Sequence, residues 1–203
     1  MLEGSGDVSV VAEASDGEMA VQLAREAQPR VVLIDLNLPI PDGIRATEAV
    51  IASCPNTSVV VLTMYWEDEY ASQLVRAGAR GYLLKSARSE DVLRAVRLAA
   101  SGGSGVDPSL APVLLREYDR MRRHTPEGRG GVEPLTRREV SLLRLLADGR
   151  GNRQIAAEMG LAESTVRNNL STLFQRIGVR DRTQAVLFAF SAGLVSRPAD
   201  YAI

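Results

Sequence analysis

Two short runs, Val-Val-Leu-Ile at 31–34 and Val-Val-Val-Leu at 59–62, constrain this chain more than any other feature. Each is apolar at consecutive positions, so both faces of the extended segment must be covered. That is the condition of a strand inside a parallel sheet with helices on each side. The surroundings agree. Extended segments are expected at residues 8–14, 31–34, 58–63 and 81–84, alternating with helical periodicity at 17–28, 44–54, 67–77 and 89–100. Such alternation predicts a doubly wound α/β domain over residues 1–103.

The pattern breaks at Ser-Gly-Gly-Ser-Gly, residues 101–105, which marks a boundary. A linker is expected over 104–133. Asp107-Pro108 reads as a helix start, a helix follows over about 109–123, and residues 125–131 form a flexible stretch. Residues 134–196 read as helices only. Thr136 with Glu139 fits a capping box, Asn152 and Ser164 are candidate caps of the next two helices, and Asp181 with Gln184 is a second box. Gly149, Gly160 and Gly178 stop the first three helices. Short helices joined by glycine turns predict an all-α helix-turn-helix domain.

Charge divides the chain the same way. Residues 1–103 carry 14 acidic against 9 basic side chains, 104–133 carry 5 of each, and 134–196 carry 9 arginines against 5 acids. The net charge of −1 thus hides an acidic front and a basic back, for which phosphate backbone is the natural partner. No apolar run approaches the ~20 residues that span a bilayer, so no membrane association is expected. One cysteine, Cys54, excludes an intramolecular disulfide and fits a reducing cytoplasm. His124, the only histidine, has no metal-ligand companions nearby in sequence. Tyr65-Trp66 is expected beside the second long strand.

In the helix opening near Ser164, Val166, Leu170, Leu173 and Phe174 form one apolar stripe, and Arg167, Asn168, Ser171, Thr172 and Gln175 fall largely on the other side. Arginine and asparagine pair with guanine and adenine edges, and hydroxyls reach phosphates or bases. The markers Leu135-Thr136 with Glu139, Asn152 with Ile155-Ala156, Ser164-Thr165-Val166-Arg167, Ile177-Gly178-Val179 and Arg182-Thr183-Gln184-Ala185 run without a gap. Together they resemble the LuxR-type helix-turn-helix of NarL/FixJ response regulators. The resemblance implies double-stranded promoter DNA as partner, with Arg167, Asn168 and Ser171 near bases and Arg153, Ser164 and Thr165 near phosphates. Asn169 departs from the histidine frequent in the family. The last helix, near 182–192, carries more apolar residues than one buried face needs; the resemblance implies a homodimer through it, and burial within the domain is the alternative.

Asp35 follows the run at 31–34, Thr63 ends the next strand and Lys85 follows the one after, so the three converge on the C-terminal edge of the sheet, where such sheets bind ligands. A carboxylate beside a hydroxyl and an ammonium suits phosphoryl transfer. Asp35-Leu36-Asn37-Leu38-Pro39-Ile40-Pro41-Asp42-Gly43, Leu62-Thr63-Met64-Tyr65 and Gly81-Tyr82-Leu83-Leu84-Lys85 resemble the motifs of response-regulator receivers (CheY/flavodoxin-like). The resemblance implies that Asp35 is phosphorylated by a sensor histidine kinase. It makes Thr63 and Tyr82 switch residues, pairs Lys85 with the phosphate, and sets Asp35 and the Asn37 carbonyl as Mg²⁺ ligands.

One part of that pattern is missing. A receiver opens with a strand ending in paired acids and a helix before the segment equivalent to 8–14, and here only MLEGSGD stands there. Glu3 and Asp7 follow no apolar strand and do not replace the pair. A start placed too far downstream, a shortened chain and a receiver that no longer phosphorylates are the competing explanations; an incomplete N-terminus is favoured, because the other markers stand. Weak Mg²⁺ affinity and weak phosphorylation of Asp35 are expected of these residues. The leading expectation is a DNA-binding regulator under phospho-control, and not an enzyme. The alternatives are a phosphorylation-independent regulator with the front half as a dimerisation module, and an aspartyl-phosphate enzyme with a protein-binding tail.

Overall fold

The computed structural model describes residues 5–38, 43–64, 73, 75–107, 110–124 and 134–195. The front half runs α1 (Gly17–Ala27), β1 (Val31–Asp35), α2 (Gly43–Ser53), β2 (Ser58–Thr63), β3 (Gly81–Leu84), α3 (Ser89–Ala100) and a two-residue β4 (Gly105–Val106). The strands form one parallel sheet in the order β1-β2-β3-β4. As the doubly apolar runs require, both faces are covered. Val60 and Leu83 pack on Val92, Ala95 and Ala99 of α3; Ile34, Val59 and Val61 face the other way, in one cluster with Ala46 and Val50 of α2.

Residues 8–14, expected as a strand, form none, and Val11 is 63% exposed. An extended segment becomes a strand only against a ladder partner, and residues 8–14 pair with none of β1 to β4. The N-terminal segment is tied elsewhere: Asp7 accepts two hydrogen bonds from Arg97 of α3, each 2.8 Å. That pair holds the Asp7 carboxyl well below the usual carboxylate range. Of the helix expected at 67–77, residues 73 and 75–77 are described and are helical. Pro39 to Asp42, Tyr65-Trp66, Pro108-Ser109, the stretch 125–131, Glu3 and the His124 side chain lie outside the described residues.

After β4 come α4 (Ala111–His124), α5 (Arg137–Ala147), α6 (Asn152–Met159), α7 (Glu163–Ile177) and α8 (Arg182–Ser191). The Thr136 capping box forms: the Glu139 N–H donates to Thr136 Oγ1 at 3.3 Å and the Thr136 N–H to Glu139 Oε2 at 2.8 Å. Two other expected caps shift, by one residue before Asn152 and by two before Ser164. Gly151 precedes α6, its N–H donating to Gln154 Oε1, and Ala162 precedes α7. Asn152 and Ser164 therefore lie in first turns. The second box forms by half: Asp181 accepts from the Gln184 N–H at 2.8 Å, while Gln184 Oε1 accepts from the Arg180 N–H.

One apolar cluster runs from the front half through Leu110, Leu114 and Tyr118 at α4 to Leu142, Leu146 and Leu173. The glycines around 101–105 and 149–151 allow this packing: a Cβ on Gly151 would stand 2.5 Å from the Ser101 carbonyl oxygen, and one on Gly103 3.0 Å from that of Gly149.

Candidate functional site

Parallel register brings the expected front-half residues together. Asp35 pairs with Leu62 across β1–β2 and Thr63 with Leu84 across β2–β3, while the Lys85 N–H donates to the Thr63 carbonyl at 2.8 Å. The three therefore stand at one sheet edge. Lys85 Nζ forms an ion pair with Asp35 Oδ2, both side chains 29% exposed, and Asp35 Oδ1 accepts the Asn37 N–H at 2.9 Å. Thr63 is buried. Gly43 is needed for close approach, since a Cβ there would stand 2.3 Å from the Asp35 carbonyl oxygen.

A carboxylate so held can act as nucleophile, with the ammonium placed to neutralise an incoming phosphoryl group. The donor set suits Mg²⁺ less well. Both Asp35 oxygens are engaged, and among the described residues no group of three His, Cys, Asp or Glu side chains could hold a metal ion. Among the described residues the donor set does not fit a resident Mg²⁺.

Tyr82 is 1% exposed. Its hydroxyl lies against the Ala79 backbone and near the Asp181 carboxylate, and burial raises it well above the ordinary phenol range. Around it the two halves dock. Thr183 Oγ1 donates to the Ala79 carbonyl at 2.8 Å and lies 2.8 Å from Ser104 Oγ; Gln184 Nε2 donates to the Val75 carbonyl at 3.0 Å. The sequence does not announce these docking roles: there Thr183 and Gln184 read as markers of the family resemblance, and Gln184 also as a cap residue.

The expected DNA-facing residues form one exposed set. Arg153 lies on α6; Ser164, Thr165, Arg167, Asn168, Ser171, Thr172 and Gln175 lie on α7; all eight are exposed, while Val166, Leu170 and Leu173 are buried beneath them. Glu139 braces α7 by accepting from Arg176 Nη1 at 2.6 and 2.7 Å. Thr136 hydrogen bonds, then Arg176, lower the Glu139 carboxyl. Helix α8, the expected dimer helix, has Arg182 to Ala189 all buried. In this arrangement it packs on α4 and α5 of its own chain, and Ser191 donates to Asp119 Oδ1 at 2.5 Å. Among the described residues no helix is long and apolar enough to cross a membrane.

The response regulator receiver domain family matches residues 1–97, and the family of bacterial regulatory proteins, luxR family, matches residues 133–189. The chain is 35% identical over 200 residues to the transcriptional regulatory protein DegU of Brevibacillus brevis, covering 93% of this chain and 85% of that one. It is 34% identical over 195 residues to the transcriptional regulatory protein LiaR of Bacillus subtilis (strain 168), covering 96% and 90%. A solved structure of the Salmonella typhimurium RcsB response regulator shares the fold, at TM-score 0.52 and 21% identity over 93% of this chain and 89% of that one. With a receiver ahead of a LuxR-type helix-turn-helix, the chain belongs to the two-component response regulators that regulate transcription.

Proposed function

We propose that Asp35 takes a phosphoryl group from a sensor histidine kinase and that this frees the α6–α7 face to bind double-stranded promoter DNA. The observation that carries it is the Asp35–Lys85 pair at the sheet edge beside Thr63. A free Asp35 oxygen attacks phosphorus, the bond to the kinase histidine breaks, and Lys85 and Thr63 hold the phosphoryl oxygens. Lys85 must release Asp35 to do so, which links occupancy to a movement of the residues around Thr63 and Tyr82. Tyr82 lies against Ala79 and Asp181, so its movement loosens the docking of α8.

Once free, Arg167, Asn168 and Ser171 meet base edges, Thr172 and Gln175 flank them, and Arg153, Ser164 and Thr165 hold phosphates. Helix α8, shed by α4, then supplies the contact of a homodimer on paired half-sites. Receivers of this family use Mg²⁺; with Asp35 the one carboxylate at this edge among the described residues, these residues bind it weakly, and phosphorylation by small phosphodonors is slow.

Acetyl phosphate labelling and duplex binding of the wild type, Asp35→Asn and Arg167→Ala test this. Slow, sub-stoichiometric label is expected in the wild type and none in Asp35→Asn. Phosphorylation should tighten duplex binding, and Arg167→Ala should weaken it by roughly 1–3 kcal/mol at one base position. Duplex binding that ignores both label and the Asp35 change would favour the second reading, a regulator independent of phosphorylation, to which the fully engaged Asp35 oxygens also point.

A further inference from the structure

A cleft of about 330 Å³ opens between the two halves, bounded by the α2–β2 turn on one side and by α7 with the turn to α8 on the other. Small-molecule sites run from roughly 300 to 1,000 Å³. Its wall has two parts. Ile51, Pro55, Leu170 and Phe174 are apolar, whereas Arg80, Arg167, Arg180 and Arg182 bring four guanidinium groups against one lining carboxylate, Asp181, and Glu163, outside the lining, pairs with Arg167 at 3.8 Å.

Burial sharpens that imbalance. Loss of hydration, then the charge of Arg80, pushes Arg182 down to about 9, and loss of hydration lowers Arg80 as well. Arg182 is 5% exposed; it donates to Asn152 Oδ1 at 3.2 Å and to the Arg150 carbonyl, and its Nε has no partner. Buried cations without matching anions are costly, and guanidinium forks match phosphate oxygens. An external phosphate would balance the cluster, and the apolar wall would receive the body that carries it.

We propose that this cleft binds a small phosphomonoester with a planar body, of the nucleoside monophosphate class, and that the bound ligand clamps the two halves together. The phosphate lies among the arginines and the planar body against Leu170 and Phe174. Arg167 and Ser171 line the cleft and also belong to the proposed base-reading face. Ligand and DNA therefore exclude each other, a consequence that rests on the DNA reading above.

Titration calorimetry of the full chain with AMP, GMP, CMP and UMP tests the site, with adenosine and inorganic pyrophosphate as controls. At least one monophosphate should bind one per chain and at least about tenfold tighter than either control. Arg180→Glu, at an exposed position on the cleft mouth, and Arg80→Gln should each weaken binding by about tenfold or more. Arg25→Ala, an exposed charge on α1, should leave it unchanged. No heat with any of the four at about 5 mM, an affinity weaker than specific sites show, overturns the proposal, as does binding indifferent to Arg180→Glu. Calorimetry does not require DNA binding, so failure of the DNA reading shows as absent duplex binding with ligand heat intact.

Discussion

Asp35 is held from three sides: by the Lys85 ammonium, by the Asn37 N–H, and by the backbone of Gly43 against its own carbonyl. The third is steric. A methyl group at Gly43 would stand 2.3 Å from the Asp35 carbonyl oxygen and 2.6 Å from the Leu36 Cα, both backbone atoms that move only with the chain. Gly43→Ala should thus displace the acceptor loop and cost on the order of 1–3 kcal/mol, the usual penalty of overpacking. Urea denaturation of the variant against the wild type measures it, and an unchanged midpoint would show that the loop can yield. Any phosphorylation at Asp35 should fall with it, since the nucleophile's backbone is what shifts.

At the level of elements, the α5–α6 turn lies against the segment that the sequence presents as a boundary. Gly151 has φ −69° and ψ 165°, a conformation open to any residue, so alanine there does no harm within the helix-turn-helix itself. Across the interface, however, its Cβ would meet the Ser101 carbonyl at 2.5 Å. Gly151→Ala is therefore expected to part the halves while leaving α5 to α8 folded, raising protease sensitivity near residues 101–105 and strengthening duplex binding without phosphorylation. Unaltered proteolysis and DNA affinity would refute the tight contact. This contact shows why some elements were legible and others were not. Doubly apolar strands and the Thr136–Glu139 box depend on residues near in sequence, and both stand where periodicity placed them. Residues 8–14 have strand composition but no ladder partner, which composition does not supply. Ser164 looks like a cap, yet the cap position falls two residues earlier, at Ala162. Thr183 and Gln184 bond to Ala79 and Val75, more than a hundred positions away, and no local pattern announces such a contact. Alignment of Asp35, Thr63 and Lys85 was legible because parallel register is repetitive; the covering of α8 by α4 was not, because it depends on where a linker helix lands.

For the molecule as a whole, the docking of the two halves carries a titratable group at its centre. Asp181 caps α8, lies beside Gly78, and faces Arg80 from the front half, its neighbour Arg180 and the Tyr82 hydroxyl. Loss of hydration outweighs its two hydrogen bonds and the arginines, and the carboxyl is raised to about 6. Between the ordinary aspartate value near 4 and about 6, the folded chain holds a proton that the unfolded chain has released, so stability falls as pH rises through that window. Above it the full penalty of the buried charge is present, on the order of 1–3 kcal/mol. Glu139 works the other way: its lowered carboxyl contributes stability that is lost only in more acidic solution. Between about pH 5 and 6 Asp181 should therefore set the slope, and the wild type should gain thermal stability on acidification through that window. Asp181→Asn keeps the cap acceptor and removes the charge, so its unfolding midpoint should stay level over the same range and match or exceed the wild type at the upper end. A variant with the wild-type slope would place the titration elsewhere. Because Asp181 becomes exposed when the halves part, the same proton favours the docked form, and duplex affinity should drop on acidification in the wild type more than in Asp181→Asn.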